Sequence, residues 1–168
     1  KDAGTTYNEA VNYLQNYGIV SGYADGLFHP ERSVNRAAFL KMVFKSLGNR
    51  ESELSSCLND YSGSTLGFPD VSKDDWFGRY VCLAKKMNLV VGYADGRFQP
   101  DQVITLPEAA KIMLKLLDLK FISVAAGGEW YDNYIAYLTS KSVVPTEVDS
   151  LVTPLTRGEL AEMLWRLA

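Results

Sequence analysis

The stretch GYADGRFQP at residues 92–100 decides the fold, because GYADGLFHP stands at residues 22–30, 70 positions earlier. Seven of the nine letters agree, and the flanks keep the same offset, with Lys41 falling on Lys111. A third, more diverged copy follows residue 121 and has TEVDSLV in place of the GYADG segment. A repeat of this length predicts an architecture of similar units that cover one another.

Each copy is predicted to form a helix, a turn with a short extended piece, and a second helix, because apolar residues recur at spacings of three and four on both sides of the turn. The apolar stripes of the second helices are wider, so we expect these helices to lie at the centre. The first helices are predicted near residues 5–17, 73–87 and 128–142, and the second near residues 36–47, 106–118 and 157–168.

The predicted fold class is all-α, with residues 1–168 forming a single domain. One helical hairpin of this size cannot bury both of its faces, so the repeats are expected to share a core in a pseudo-threefold, three-lobed arrangement, with the second helices as a central three-helix bundle. The repeats are placed at approximately 1–48, 68–118 and 121–168. The polar, Ser-rich residues 49–67 are predicted to be an inserted linker with one helical turn.

The repeated turn is typical of a scaffold rather than of a chemical site. Asp-Gly favours a turn because glycine accepts a positive φ and aspartate can bond its own backbone, so Gly26 and Gly96 are expected to take that conformation. Phe28 and Phe98 are expected to insert their rings beneath the helices. The turn has too few carboxylates for a calcium loop and lacks the lysine of a phosphate-binding loop, so we predict no metal and no cofactor.

Composition narrows the class of partner. A chain of 168 residues with 47% hydrophobic composition can bury a core of its own. The net charge of -3 comes from 17 basic and 20 acidic residues mixed along the chain, which argues against nucleic acid as a partner. No apolar run approaches about 18 residues, so membrane insertion is not predicted. Because Lys1 is neither an initiator Met nor part of a signal segment, we expect a processed or excised piece of a longer protein.

The two cysteines, Cys57 and Cys82, cannot complete a zinc site, because no second pair and no neighbouring histidine accompanies them. If the protein is exported, a disulfide between them is expected to stabilise the fold by about 3 kcal/mol. Two buried free thiols are the alternative.

The starts of the second helices carry the most informative residues. Thr105 and Thr156 precede a Glu by three residues, which predicts a capping box, and Asn35 is an N-cap candidate without such a Glu. Arg36 and Arg157 take the first helical position, where the helix dipole disfavours a cation. A guanidinium beside free helix N–H groups can bind a carboxylate or phosphate. A salt bridge to a carboxylate of a neighbouring lobe is the alternative.

Aromatic side chains near these starts allow two interpretations. Tyr23 and Tyr93 precede the turn and are candidates to present hydroxyl groups to a ligand. Trp76 and Trp130 stand at the starts of first helices and are expected to plug the core, with stacking on a sugar ring as the alternative. His29 has no Ser or Cys nucleophile motif around it, so we predict no catalytic residue and no enzyme.

Residues 68–117, FPDVSKDDWFGRYVCLAKKMNLVVGYADGRFQPDQVITLPEAAKIMLKLL, resemble the S-layer homology (SLH) motif. The shared features are an F-x-D-V start, a Trp opening the first helix, a G-Y-x-D-G-x-F-x-P centre and the region of the T-R-A-E helix start. The other two repeats resemble the motif more loosely. The resemblance implies three SLH repeats with grooves between lobes. Domains of this family hold surface-layer proteins and surface enzymes to the bacterial envelope by binding secondary cell wall polymers, often with pyruvylated sugars, or peptidoglycan-linked glycan.

Carried over by position, the arginine of the T-R-A-E start falls on Arg36 and Arg157. The resemblance therefore implies that these residues bind a cell-wall glycan, and we expect Tyr23 and Tyr93 to join them. A pyruvyl ketal is a carboxylate on a sugar, which is the kind of anion that arginine binds. Leu106 stands where the second repeat would carry this arginine, so that repeat is not expected to use the same contact.

The expected function is non-covalent anchoring of a larger exported protein to the cell envelope through an anionic cell-wall glycan bound in grooves between lobes. The expected location is outside the cell, at the bacterial cell surface in the cell wall or S-layer, and the rest of the larger surface protein is a further partner. The alternative is a protein-interaction module for lateral self-association without glycan binding. Analytical ultracentrifugation without glycan distinguishes the two, because self-assembly requires concentration-dependent oligomers.

Overall fold

The computed structural model describes residues 6–47, 50–63, 65–119 and 128–168. Over these ranges the protein has seven α-helices and no β-strand, which confirms the predicted all-α class. None of these helices is long and apolar enough to cross a membrane. The helices are α1 Asn8–Asn16, α2 Arg36–Ser46, α3 Glu51–Asn59, α4 Gly78–Lys86, α5 Leu106–Leu116, α6 Asp132–Ser140 and α7 Arg157–Leu167.

The second helices of the three repeats are α2, α5 and α7, and each begins at the predicted residue. The Asn35 side chain accepts a hydrogen bond from the backbone N–H three residues on, at 2.8 Å. Thr105 with Glu108 and Thr156 with Glu159 form the two predicted capping boxes. These local contacts fix each helix start, which is where the predicted binding arginines lie.

The first helices, α1, α4 and α6, begin later than predicted. In the second repeat the helix starts at Gly78 instead of near residue 73, because the Asp75 carboxylate accepts a hydrogen bond from the Ser72 backbone N–H at 2.8 Å. Such a side-chain contact offers the backbone an alternative to the helix. Trp76 therefore lies in a turn ahead of α4 and not inside the helix.

The repeated turns have the predicted scaffold role. Gly26 and Gly96 both have a φ of +77°, which is the left-handed conformation that glycine adopts without strain. The Asp25 carboxylate accepts a hydrogen bond from the backbone N–H two residues on, at 2.9 Å. Phe28 and Phe98 are fully buried, so each turn is fixed to the core by an aromatic ring.

Contacts between repeats follow a cyclic order. The second helix of each repeat packs against the first helix of another, in the pairs α2 with α4, α5 with α6, and α7 with α1. Three backbone hydrogen bonds close a ring, from Val34 N–H to Leu155 at 2.8 Å, from Leu155 N–H to Ile104 at 2.9 Å and from Ile104 N–H to Val34 at 3.0 Å. A threefold axis and a central bundle of second helices stay predictions from the repeats.

The inserted segment contains more structure than predicted. Its helix α3 has nine residues instead of a single turn, and it lies along α4. Cys57 and Cys82 form a disulfide between these two helices, with Cα atoms 6.1 Å apart, so the expected pairing is confirmed. Two ion pairs lie on either side of the disulfide, Glu51 with Arg79 and Asp60 with Lys86. The disulfide and its flanking ion pairs fix a segment that the repeats themselves do not require.

Candidate functional site

Two clefts lie at equivalent positions, one at the turn of the first repeat and one at the turn of the second, and we call them the first groove and the second groove. The first groove has a volume of about 290 Å³, and the second has about 190 Å³. The first groove is lined by Ile19, Val20, Ser21, Gly22, Tyr23, Asn35, Ala38, Lys41, Met42, Trp76 and Arg157. The second groove is lined by Leu89, Val90, Val91, Gly92, Tyr93, Arg36, Glu108, Lys111, Ile112 and Trp130.

Each groove is assembled from all three repeats. The first groove takes its turn and helix α2 from repeat one, Trp76 from repeat two and Arg157 from repeat three. The second groove takes its turn and helix α5 from repeat two, Trp130 from repeat three and Arg36 from repeat one. The four residues predicted from sequence thus come together as two pairs, with Arg157 beside Tyr23 and Arg36 beside Tyr93.

Arg157 holds the turn of the first repeat and faces the first groove. Its Nε–H donates to the Phe28 carbonyl oxygen at 2.9 Å, and its guanidinium lies 4.5 Å from the Phe28 ring centre and 4.8 Å from that of Tyr23. Burial lowers the pKa of Arg157 below its ordinary value, although arginine stays charged at any physiological pH. Among the described residues, no carboxylate lies within 4.0 Å of this guanidinium.

Arg36 makes the equivalent contacts in the second groove but is more enclosed. Its Nε–H donates to the Phe98 carbonyl oxygen at 3.0 Å, and its guanidinium lies over the rings of Phe98 and Tyr93. Only 8% of Arg36 is exposed, and its Nη1 is 4.0 Å from the Glu108 carboxylate. The internal salt bridge weighed as the alternative is therefore a long contact in the second groove, and Arg157 has none with any residue that the structure describes.

The helix N–H groups near these arginines are not free, which corrects the prediction from sequence. The Arg36 N–H donates to the Gln102 carbonyl oxygen at 2.8 Å, and the Arg157 N–H donates to the Arg32 carbonyl oxygen at the same distance. The next amide of each helix, at Ala37 or at position 158, bonds to the carbonyl of a proline in another repeat. Contacts between repeats use these amides, so the amides are not available to an anion and only the side chains could meet one.

Both tyrosines border their grooves at the arginine. Tyr23 is 41% exposed, and two guanidinium groups lie over its ring, with Arg32 at 4.6 Å and Arg157 at 4.8 Å from the ring centre. Tyr93 is less exposed, and burial raises the pKa of its hydroxyl. Each tyrosine lines a groove, and contact of the two hydroxyl groups with a ligand stays a prediction.

Trp76 and Trp130 are not core residues, so the expectation of a core plug was wrong. Their exposed fractions are 57% and 48%, and each lines a groove. Each tryptophan packs edge-on against the aromatic ring of the next residue, which is Phe77 in the second repeat and Tyr131 in the third. Phe77 also packs against the core, which leaves Trp76 free to face solvent.

Two lysines complete the grooves, and sequence reasoning did not assign them to a site. The Lys41 Nζ lies 5.6 Å from the centre of the Trp76 ring, and the Lys111 Nζ lies 5.1 Å from that of Trp130. Burial lowers the pKa of Lys41, and the nearby positive charges of Lys45 and Arg157 lower it further. The signal was present in the sequence, because both lysines occupy the same register in the repeat.

The two grooves differ in charge. The first groove has Ala38 where the second has Glu108, and Arg32 stands beside Tyr23 where the second repeat has Gln102. The Glu108 carboxylate also accepts a hydrogen bond from the Thr105 backbone N–H at 3.0 Å, so the helix cap holds it at the groove. The first groove is therefore the more positive of the two.

A third groove, at the turn and second helix of the third repeat, would lack the residues that line the other two. In register, Leu106 replaces the arginine, Glu162 replaces the lysine and Thr6 replaces the tryptophan. Glu162 is buried and forms an ion pair with Arg166, with Nη2 at 2.8 Å from the carboxylate. Across the part of the chain that the structure describes, no group of three or more His, Cys, Asp or Glu is placed to hold a metal ion.

The family model of the S-layer homology domain matches residues 1–40 and 67–110, which is half of the chain. The middle cell wall protein of Brevibacillus brevis is 26% identical over 93% of this chain and 14% of its own length. The cellulosome-anchoring protein of Acetivibrio thermocellus is 29% identical over 86% of this chain and 33% of its own length. The surface layer protein of Brevibacillus choshinensis is 27% identical over 65% of this chain and 9% of its own length. This chain thus spans a minor part of each relative.

Proposed function

Because the chain belongs to the S-layer homology domain family, we propose that it anchors a larger protein to the bacterial cell envelope by binding an anionic cell-wall glycan in the first and second grooves. Its location is the bacterial cell surface, as for relatives named as surface-layer, cell-wall and anchoring proteins. The proposed role is binding without catalysis. The glycan residue bound in each groove carries a carboxylate, for which a pyruvyl ketal is the preferred candidate.

The observation that carries this proposal is the charge of the first groove. Arg157 and Lys41 line it together, and neither has a carboxylate within ion-pair distance among the described residues. Two cations brought together without a counter-ion repel each other, and burial of Lys41 adds to that cost. A bound carboxylate would remove this repulsion and form charge-assisted hydrogen bonds.

The groove also suits the rest of a sugar. Because the Arg157 Nε–H donates to the Phe28 carbonyl, a carboxylate would meet the Nη side of the guanidinium, where the Tyr23 hydroxyl also lies. The exposed Trp76 ring offers a flat apolar surface for the C–H groups of a pyranose. Tyr23 and Asn35 also line the groove and supply polar groups for hydroxyls. A cleft with few polar groups on an apolar wall is the usual form of a small-molecule site.

Retention on purified cell-wall sacculi tests the proposal. The Lys41→Gln variant and the Arg157→Ala variant are each expected to lower retention at least fivefold, because either change removes a positive charge from the first groove. Arg97→Ala is the matched control, since Arg97 is an exposed cation outside both grooves. Thermal unfolding verifies that each variant is folded. Retention of folded Lys41→Gln and Arg157→Ala at the level of the control would contradict the proposal.

A further inference from the structure

We propose that a third cleft, which shares part of its lining with the second groove, binds an uncharged sugar residue that adjoins the anionic residue in that groove. This inference rests on the proposed function and extends it to a second unit of the glycan. The cleft has a volume of about 500 Å³ and shares Tyr93, Glu108 and Trp130 with the second groove. We call it the apolar cleft; its other walls include Tyr131, Val152 and Pro154.

The lining of the apolar cleft selects against a second anion. Among the residues that line it, none is Lys, Arg or His, and Glu108 is the one charged side chain. A negatively charged residue placed there would meet Glu108, and no cation in the lining of the cleft would offset the repulsion. Aromatic and aliphatic walls with the amide of Gln102 at the rim fit the C–H face and hydroxyl groups of an uncharged sugar.

Trp130 connects the two cavities. Its side chain is 48% exposed, and it lines both the second groove and the apolar cleft. The Tyr131 ring lies edge-on against it, with ring centres 5.3 Å apart and planes 84° apart, which holds the indole in place. A glycan that places one residue in the second groove therefore meets the apolar cleft with the next residue in the chain.

The apolar cleft also accounts for a feature of the third repeat that groove binding does not use. Val152 occupies the register of Asp101 and Glu31, so the diverged turn of the third repeat has an aliphatic side chain where the other two repeats have a carboxylate. Val152 is 83% exposed, so its side chain contributes nothing to the core. Pro154 is held beside the cleft by a backbone bridge with Thr105. An exposed aliphatic wall beside an exposed tryptophan is expected where a sugar is bound, not in a scaffold.

The test compares two probes on the whole chain by NMR. One probe is the methyl glycoside of a hexose that carries a pyruvyl ketal, and the other is a disaccharide of that residue linked to an uncharged hexose. The indole N–H signal of Trp130 reports binding to the second groove, and that of Trp76 reports binding to the first. At Trp130 the disaccharide is expected to bind at least threefold more tightly than the monosaccharide.

The Val152→Asn variant is expected to remove most of that advantage at Trp130 and to leave the affinity for the monosaccharide unchanged. Leu27→Asn is the matched control, because it makes the same kind of change at a partly exposed position outside both grooves and the cleft, where the second repeat already has Arg97. Equal affinities for the two sugars, or an advantage that survives in Val152→Asn, would overturn the apolar cleft alone. If neither sugar shifts Trp76 or Trp130, the proposed function is wrong and this inference with it.

Discussion

Arg157 shows how one side chain can serve the scaffold and still be available to a ligand. Its Nε–H holds the Phe28 carbonyl and its planar face covers two aromatic rings, so its position is fixed before any ligand arrives. Lysine could not replace it, because a single ammonium cannot hold a carbonyl and also present a planar pair of donors. A fixed cation loses less conformational entropy on binding than a mobile one.

At the residue scale, Lys41 provides a pH test of the first groove. Its pKa is lowered by burial and by neighbouring cations, and its charged form is the one that binds an anion. Binding should therefore be strong below the pKa of Lys41 and weaken as the pH rises through it. A bound carboxylate favours the charged form, so the pKa of Lys41 should rise when a pyruvylated sugar is added. An NMR titration of the Lys41 side chain measures this change; a pKa that stays constant or falls would contradict direct contact.

Gly158, the second residue of α7, gives a stability test at the same scale. A Cβ at this position would lie 2.6 Å from a carbon of the Tyr7 ring and 3.0 Å from the Pro30 side chain. In an exposed helix, replacing glycine by alanine usually stabilises by about 1 kcal/mol. Here Gly158→Ala is expected to lower the free energy of unfolding by about 1–3 kcal/mol, because overpacking outweighs helix propensity. Urea denaturation measures the change, and a more stable variant would disprove the close contact.

At the scale of elements, helix α3 is an addition to the repeat pattern. It lies against α4 through the disulfide between Cys57 and Cys82 and through ion pairs on either side. Surface ion pairs each contribute about 0–1 kcal/mol to the free energy of unfolding, so the disulfide is the main restraint that holds α3 against α4. Neither groove includes a residue of α3. We therefore expect α3 to contribute to stability and not to contact a ligand in these two grooves.

This separation gives a prediction for the disulfide. A Cys57→Ala, Cys82→Ala double variant is expected to lose about 3 kcal/mol of unfolding free energy, because the disulfide restricts the unfolded chain. Its retention on sacculi should equal that of the unmodified chain at a temperature where both are folded. Urea denaturation with and without a reductant measures the loss, and the reductant should not affect the double variant. Reduced retention by a folded double variant would show that α3 supports the grooves.

At the scale of the whole molecule, the cyclic order of the repeats creates the sites. The hydrogen bonds of Val34, Ile104 and Leu155 bring the starts of the second helices together, so an arginine of one repeat reaches the turn of another. No single repeat contains an arginine, a lysine and a tryptophan of the same groove. The proposed binding therefore requires the complete domain.

The number of ligands bound per chain tests this arrangement. A pyruvylated monosaccharide is expected to saturate at two molecules per chain, because Leu106 and Glu162 remove both cations from the third equivalent position. Lys41→Gln should weaken the site reported by Trp76, and Lys111→Gln should weaken the one reported by Trp130. NMR titration follows the two indole signals separately. Saturation at three molecules, or loss of both sites in either variant, would contradict the assignment.

The sequence by itself determined the all-α class, the starts of α2, α5 and α7, the turn conformation at Gly26 and Gly96, and the side chains Arg36 and Arg157 as candidates. These features depend on local physics: apolar spacing, side-chain capping and the steric freedom of glycine each act within a few residues. The disulfide was one of two open alternatives, because spacing in sequence does not show whether two cysteines approach within bonding distance.

Only the tertiary structure decided which side chains share a groove. The exposure of Trp76 and Trp130 depends on a turn that delays the helix, and the partners of the helix N–H groups at Arg36 and Arg157 come from another repeat. The grouping of Arg157 with Lys41, 116 positions earlier, follows from the cyclic order of the repeats. Contacts between residues so far apart depend on the packing of whole helices, which no local pattern in the sequence records.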